Sequence, residues 1–459
     1  MIFSSISFIY YFLPVLLICY FIAPKKYKNF ILLFFSLIFY FLGEPKYILI
    51  LILSCIINFF CVNKIYKSKN KKLYLIIGLI YNILQLVVFK YLDFFIENIN
   101  NIFNSKFNLL YNVMPIGISF FTFQAISYLI DIYRGNHKPA ANIIDFMTYI
   151  SLFAQLVAGP IVRYSDIARD LQERENNFDN VGRGIQRFVI GLAKKVLLAN
   201  VLGEISGSLS GGDVLGSWMK PILFTLQIYY DFSGYSDMAI GLGLMFGFKF
   251  LENFNYPLIA NSITDFWRRW HISLSSWFRD YVYIPLGGNR VSFIKWIRNI
   301  FVVWFLTGFW HGASWNFIIW GLYFGVLLVI EKVFLKKYLD KTKVIKHIYT
   351  ILLVVISFLI FNTDNVGDIF NSLEKMFFIK NIPVSSYETI YFLKSNFIFL
   401  IMAVIGVTPL VKTIVKKLET SKIKTVTSTV EVVGVMVLLI LCTAFLIDEA
   451  FNPFLYFRF

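Results

Sequence analysis

Charge is scarce in this chain: 15% of its 459 residues are Asp, Glu, Lys or Arg, against about a quarter in soluble domains. Hydrophobic residues make up 58% and the mean hydropathy is +0.69, which excludes an ordinary water-soluble fold. Cysteine is scarce too. Cys19, Cys55, Cys61 and Cys442 all lie in apolar stretches without CxxC spacing, so they read as small core hydrophobes, and no disulfide framework or zinc site is implied. A nucleophile elbow, a P-loop and any metal-spaced cluster are missing, as are internal repeats and Pro/Gly/Ser linkers. One integral membrane domain over residues 1–459 is the simplest organisation.

What is present is a series of apolar runs near the roughly 20 residues needed to cross a bilayer. They cover 4–23, 29–43, 47–63, 73–92, 143–161, 185–203, 218–247, 299–310, 314–330, 346–362, 393–410 and 428–448. The expectation is an all-α polytopic membrane protein of ten to twelve spans. The first run lacks a basic n-region and an A-x-A site, so it reads as a retained span and not a cleaved leader.

A formal charge of +16 raises the question of nucleic acid. The basic residues stand in blocks beside the spans, at Lys25 to Lys28, Lys64 to Lys72, Arg163 to Lys195, Lys332 to Lys346 and Lys412 to Lys424. That is a positive-inside pattern facing anionic lipid, and no nucleic-acid partner is expected. Read this way, loops 24–28, 64–72, 332–346 and 411–424 are cytoplasmic and both ends of the chain lie outside.

Polar groups at membrane depth must find internal partners. The stretch 114–135 carries Ser119, Thr122, Gln124 and Asp131, so it is expected to face protein or a water-filled cavity. In 227–248, Tyr230, Asp231 and Ser233 precede Asp237, and Asp231 and Asp237 lie about 120° apart on a continuous helix. Gly234 between them suggests a break; packing polars between helices is the competing reading. Stretch 265–290 mixes Trp267, Trp270, Trp277 and Phe278 with Arg268, Arg269 and Arg279, the pattern of an amphipathic interfacial or re-entrant helix with its rings at headgroup level.

Of the four histidines, His137 and His347 sit beside loops and charges, where solvent or headgroup contact suffices. His311 differs: no Asp, Glu, Lys or Arg lies between 299 and 330. A histidine inside a span is a functional hypothesis by default, and its neutral ring is the form a general base needs. Gly308 and Gly312 lie four apart around it and allow backbone or substrate to approach closely, so the histidine is expected on a narrow passage.

These residues carry a resemblance. "FWRRWHISLSSWFRDYVYIPLGGNR", followed by "FWHGASWNFIIWGLYFG" with forty positions from His271 to His311, is similar to the membrane-bound O-acyltransferase family. The bacterial branch of alginate and peptidoglycan O-acetyltransferase membrane subunits matches best, and "PIGISFFTFQAISYLIDIYRG", "LVAGPIVRY" and "YYDFSGYSDMAIG" extend the likeness over nearly the whole chain. The resemblance implies a bundle around a central tunnel in the bacterial inner membrane, with His311 as the catalytic histidine and His271 as a second active-site group. Trp267, Arg268, Trp270, Trp310, Asn316, Tyr230, Asp231 and Ser233 are the expected tunnel lining. It also implies acetyl-CoA as donor with no permanently bound cofactor, an extracytoplasmic serine-hydrolase-like partner, and a polysaccharide acceptor. Transfer of D-alanyl or another acyl group to teichoic acid-type polymers is the alternative.

A transporter or flippase also uses broken polar helices around a midplane histidine, but often shows inverted repeats, which this chain lacks. The tail "FNPFLYFRF", 451–459, reads bottom-up as an aromatic interface anchor or an extended apolar plug. It resembles the aromatic C-terminal motif of the small membrane protein that accompanies D-alanyl-transferring relatives, which implies Tyr456 as an acyl relay outside the membrane.

Overall fold

Long Ile/Leu/Phe runs leave the backbone one local way to pair its N–H and C=O groups in lipid. The computed structural model describes residues 2–111, 114–156, 159–174, 177–420, 424–448, 454 and 455, and these are helices and connections without a strand. The elements used below are α1 (Phe8–Ile22), α2 (Lys28–Gly43), α3 (Ile48–Lys67), α4 (Lys71–Leu86), α5 (Ile118–Arg134), α6 (Phe178–Ala193) and α7 (Val214–Met245). They continue with α8 (Ile263–Arg269), α9 (Ile272–Phe278), α10 (Phe293–His311), α11 (Trp315–Ile330), α12 (Ile345–Phe361) and α13 (Phe397–Gly406).

Among the described residues five helices are long and apolar enough to span: Lys25–Gly43, Ile48–Lys67, Lys71–Phe103, Trp315–Leu339 and Thr425–Asp448. Tyr387–Ser395 and Phe397–Gly406 add a pair bent by 64°, and α1 and α12 are shorter apolar helices. The run 143–161 breaks after Ser151. Where the motifs lie, helices are shorter or more polar than an independent span, because they pack on protein.

The chain forms two compact units. The first, residues 1–188 and 235–252, holds α1 to α5. Its core is aromatic, with Phe8, Phe12 and Phe39 around Phe153. Asn58 on α3 and Asn82 on α4 are buried, and Asn82 donates to Asn58 Oδ1 at 2.7 Å, a cross-helix amide pair that suits an apolar setting. Ser119, Thr122, Gln124 and Asp131 are all buried, as expected of a polar segment facing protein.

The second unit, residues 189–234 and 253–459, carries both candidate histidines. Its tightest crossing is α10 against α11. A Cβ on Gly308 would lie 2.3 Å from the Phe317 carbonyl oxygen, and one on Gly321 would lie 2.2 Å from the Trp304 carbonyl oxygen. Gly308 therefore serves backbone contact between helices, one of the two close approaches expected of it. Gly321→Val is expected to destabilise the fold by about 1–3 kcal/mol through overpacking. Thermal unfolding in detergent should show a lower midpoint; an unchanged one would contradict this packing.

The break expected at Gly234 is corrected. α7 runs unbroken through Gly234, whose Cβ would lie 2.7 Å from the Gly191 carbonyl oxygen, so this glycine admits a neighbouring helix and does not break its own. In the segment 265–290, α8 and α9 are short, and Trp267, Trp270, Trp277 and Phe278 are buried in aromatic packing. His347 also has a fixed partner, its Nδ1 standing 3.0 Å from the Ala260 carbonyl oxygen. His137 is exposed, as read.

Candidate active site

α10 ends at His311 because Gly312 turns extended, and the ring is left in an aromatic cage. Trp310, Trp320 and Phe361 surround it edge-on, with ring centroids at 5.1, 4.9 and 5.5 Å. The histidine is 4% exposed. Asn316, near the start of α11, donates to the Phe361 carbonyl oxygen at 3.3 Å and so ties α12 to this cage.

His271 stands at the corner between α8 and α9 with a left-handed backbone, φ 46° and ψ 55°. A non-glycine residue in that region is held there by its surroundings. The ring is fully buried, edge-on to Phe232 at 4.7 Å. Its Nδ1 lies 3.2 Å from Asn253 Oδ1, and its Nε2 has no hydrogen-bond partner among the described residues. Trp310 connects the two histidines, with its ring centroid 6.1 Å from His271 and 5.1 Å from His311.

The other expected lining residues divide. Trp267 packs on Trp304, Trp320 and Phe324, and Trp270 on Phe254, Phe266 and Phe358; both belong to the aromatic wall around the histidines. Tyr230 is buried and its hydroxyl donates to the Ala403 carbonyl on α13, a structural bond. Ser233 is buried, and its Oγ has no hydrogen-bond partner among the described residues. Arg268 is exposed and is not brought to the histidines.

Asp231 has a more specific setting. Its Oδ1 pairs with Lys195 Nζ at 2.6 Å, with both side chains buried, and its Oδ2 accepts the Leu455 backbone N–H at 2.8 Å. Phe454 is buried against Phe232, at 5.8 Å between centroids, on the ring that also meets His271. The described part of the tail is thus docked beside the histidine site. Tyr456 lies outside the described residues. A cavity of about 520 Å³ has Leu455, Asn200, Glu204, Gln227, Phe358 and Asn362 among its lining.

Sequence reasoning missed Asn253, Lys195, Trp320 and Phe361 as neighbours of the site. The buried basic side chain of Lys195 carried a signal, because a lysine inside the run 185–203 needs a carboxylate partner. Asn253, in an asparagine-containing connection, carried none.

Residues 137–363 match the family model described as "MBOAT, membrane-bound O-acyltransferase family". The chain is 40% identical over 389 residues to "Probable alginate O-acetylase AlgI" of Pseudomonas aeruginosa, covering 82% of this chain and 75% of that protein. It is 39% identical over 373 residues to "Peptidoglycan O-acetyltransferase" of Helicobacter pylori, covering 73% and 71%. A "Teichoic acid D-alanyltransferase" of Bacillus subtilis is 32% identical over 260 residues, covering 53% of this chain and 65% of that protein.

Proposed function

The chain belongs to the membrane-bound O-acyltransferase family, and from that premise we propose that it O-acetylates a cell-wall or extracellular polysaccharide, drawing acetyl from cytoplasmic acetyl-CoA. The observation that carries the reading is the pairing of two buried histidines across one tryptophan, inside an aromatic wall, within a multi-pass membrane acyltransferase.

In the step proposed, an acceptor hydroxyl oxygen attacks the thioester carbonyl and His311 takes its proton. The C–S bond then breaks, and the proton passes to the departing thiolate, releasing free CoA thiol. The aromatic cage keeps bulk water from hydrolysing the thioester. His271 is the second polar group at the reacting centre.

The first acceptor in this scheme is the chain's own tail. The docking of Phe454 and Leu455 on Phe232 and Asp231 supports a tail that reaches the histidines from outside. Tyr456, the next residue in sequence, would form an aryl acetate. Attack by a serine hydroxyl of an extracytoplasmic partner on that ester regenerates the phenol and leaves acetyl on the serine, and a polysaccharide hydroxyl then attacks the seryl ester and frees the serine. Phenoxide, with a conjugate-acid pKa of about 10, leaves more readily than an alkoxide. The Lys-rich 332–346 loop faces the cytoplasm of an inner membrane in this scheme, and the C-terminus lies outside.

A strain deleted for the gene should lose most acetyl ester from isolated cell wall or exopolysaccharide and regain it on complementation. Unchanged ester in both fractions would remove the proposed acceptor class. D-alanyl ester lost instead would move the reading to the D-alanyl branch.

A further inference from the structure

Nothing in the preceding reading uses Asn253, yet this side chain is fully buried and meets His271 from two directions. The Asn253 backbone carbonyl accepts the Ile272 N–H at 3.0 Å, and the neighbouring Asn255 N–H donates to the Arg269 carbonyl at 2.9 Å, so the connection 253–255 is strapped across the corner between α8 and α9. Its side-chain Oδ1 lies 3.1 Å from the Ser273 N–H, 2.9 Å from Ser273 Oγ and 3.2 Å from His271 Nδ1.

The orientation of the amide follows from one of these groups. A backbone N–H can only donate, so the atom facing Ser273 N is the oxygen; turning the amide over would set NH₂ against N–H. The same oxygen faces His271 Nδ1. An oxygen of that kind is an acceptor only, and the Ser273 hydroxyl, 3.5 Å from the same nitrogen, gives its one proton to that oxygen at 2.9 Å, so Nδ1 carries the ring proton and in a neutral imidazole Nε2 presents a lone pair. Nε2 is the ring atom that has no hydrogen-bond partner among the described residues.

We infer that Asn253 is a positioning residue that holds His271 in its Nδ1–H tautomer, so that Nε2 meets the substrate as a hydrogen-bond acceptor. His271 Nε2 therefore stands beside the reacting groups as an acceptor and does not donate to the carbonyl oxygen as it becomes an oxyanion. The left-handed backbone at His271 and the strap at 253–255 fix where the ring stands, and Asn253 Oδ1 fixes which nitrogen is basic. The inference rests on the acyl-transfer reading for its substrate, but not for its tautomer.

The direct test is the ¹⁵N spectrum of the full chain in lipid with labelled histidine, His271 being assigned by the resonances lost in His271→Gln. A protonated Nδ1 with an unprotonated Nε2 is expected; the reverse tautomer overturns the inference whatever the activity. In transfer assays Asn253→Leu should lower kcat by about 10²-fold with little change in the KM for acetyl donor, the size of a lost acid–base contribution. Asn253→Asp, whose carboxylate accepts from the same three donors, should be at least about tenfold faster than Asn253→Leu. Should Asn253→Leu fail to fold, the wild-type spectrum still decides. Wild-type kcat in a folded Asn253→Leu protein would also overturn it. Undiminished transfer by His271→Gln with the Nδ1–H signal intact would instead end the catalytic reading of His271, a separate failure.

Discussion

His311→Ala is expected to lower acetyl transfer by about 10²–10⁴-fold, the range lost when a general base is removed. The ring makes edge contacts with Trp310, Trp320 and Phe361, so alanine also opens a space in an aromatic cage. That packing loss alone could lower activity. His311→Gln separates the two effects, because glutamine fills much of the space and keeps a polar tip but cannot take a proton at neutral pH. Both variants should insert and lose transfer to a similar extent, with His311→Gln unfolding near the wild-type temperature and His311→Ala below it. Wild-type rates in folded His311→Gln would remove His311 as the base, leaving it a packing residue of α10.

Loss of the Tyr456 hydroxyl is expected to be as severe if the tail relays acetyl. Tyr456→Phe keeps the aromatic ring and removes only the oxygen that forms the ester. Deletion of 451–459 removes the hydroxyl together with the Leu455 N–H that Asp231 accepts. The relay predicts that both abolish transfer to the polysaccharide, whereas an aromatic anchor predicts that Tyr456→Phe is nearly silent. Protein given acetyl-CoA without its partner should carry one acetyl group on the C-terminal peptide, read by mass spectrometry. That group should be absent from Tyr456→Phe and from His311→Gln.

The helical class, the apolar runs and the two histidines were legible because each rests on local information: composition, span length, and an ionisable ring in an uncharged stretch. Trp267 and Trp270 show where composition stops deciding. Tryptophan beside arginine describes a headgroup belt, and it equally describes short helices whose rings pack inward while Arg268 turns out and Arg269 pairs with Asp265 at 3.0 Å. Composition does not separate these, since both bury the indole and solvate the guanidinium. Gly234 failed for a related reason: glycine permits a break and also permits close approach, and only the neighbouring Gly191 carbonyl decides between them. Asn253 and Leu455 were invisible because their partners are distant along the chain. Asn253 meets a residue 18 positions on, and Leu455 meets a carboxylate 224 positions back. No periodicity reports such pairs.

The most direct test is to supply acetyl-labelled CoA at the cytoplasmic face of oriented membrane vesicles that contain the chain, its partner and the acceptor polysaccharide, and to count labelled O-acetyl ester on the polysaccharide. The histidine-centred account predicts ester in vesicles with the wild-type chain and essentially none with folded His311→Gln. Equal ester from both, or label that crosses the membrane without ever becoming an ester, would contradict it.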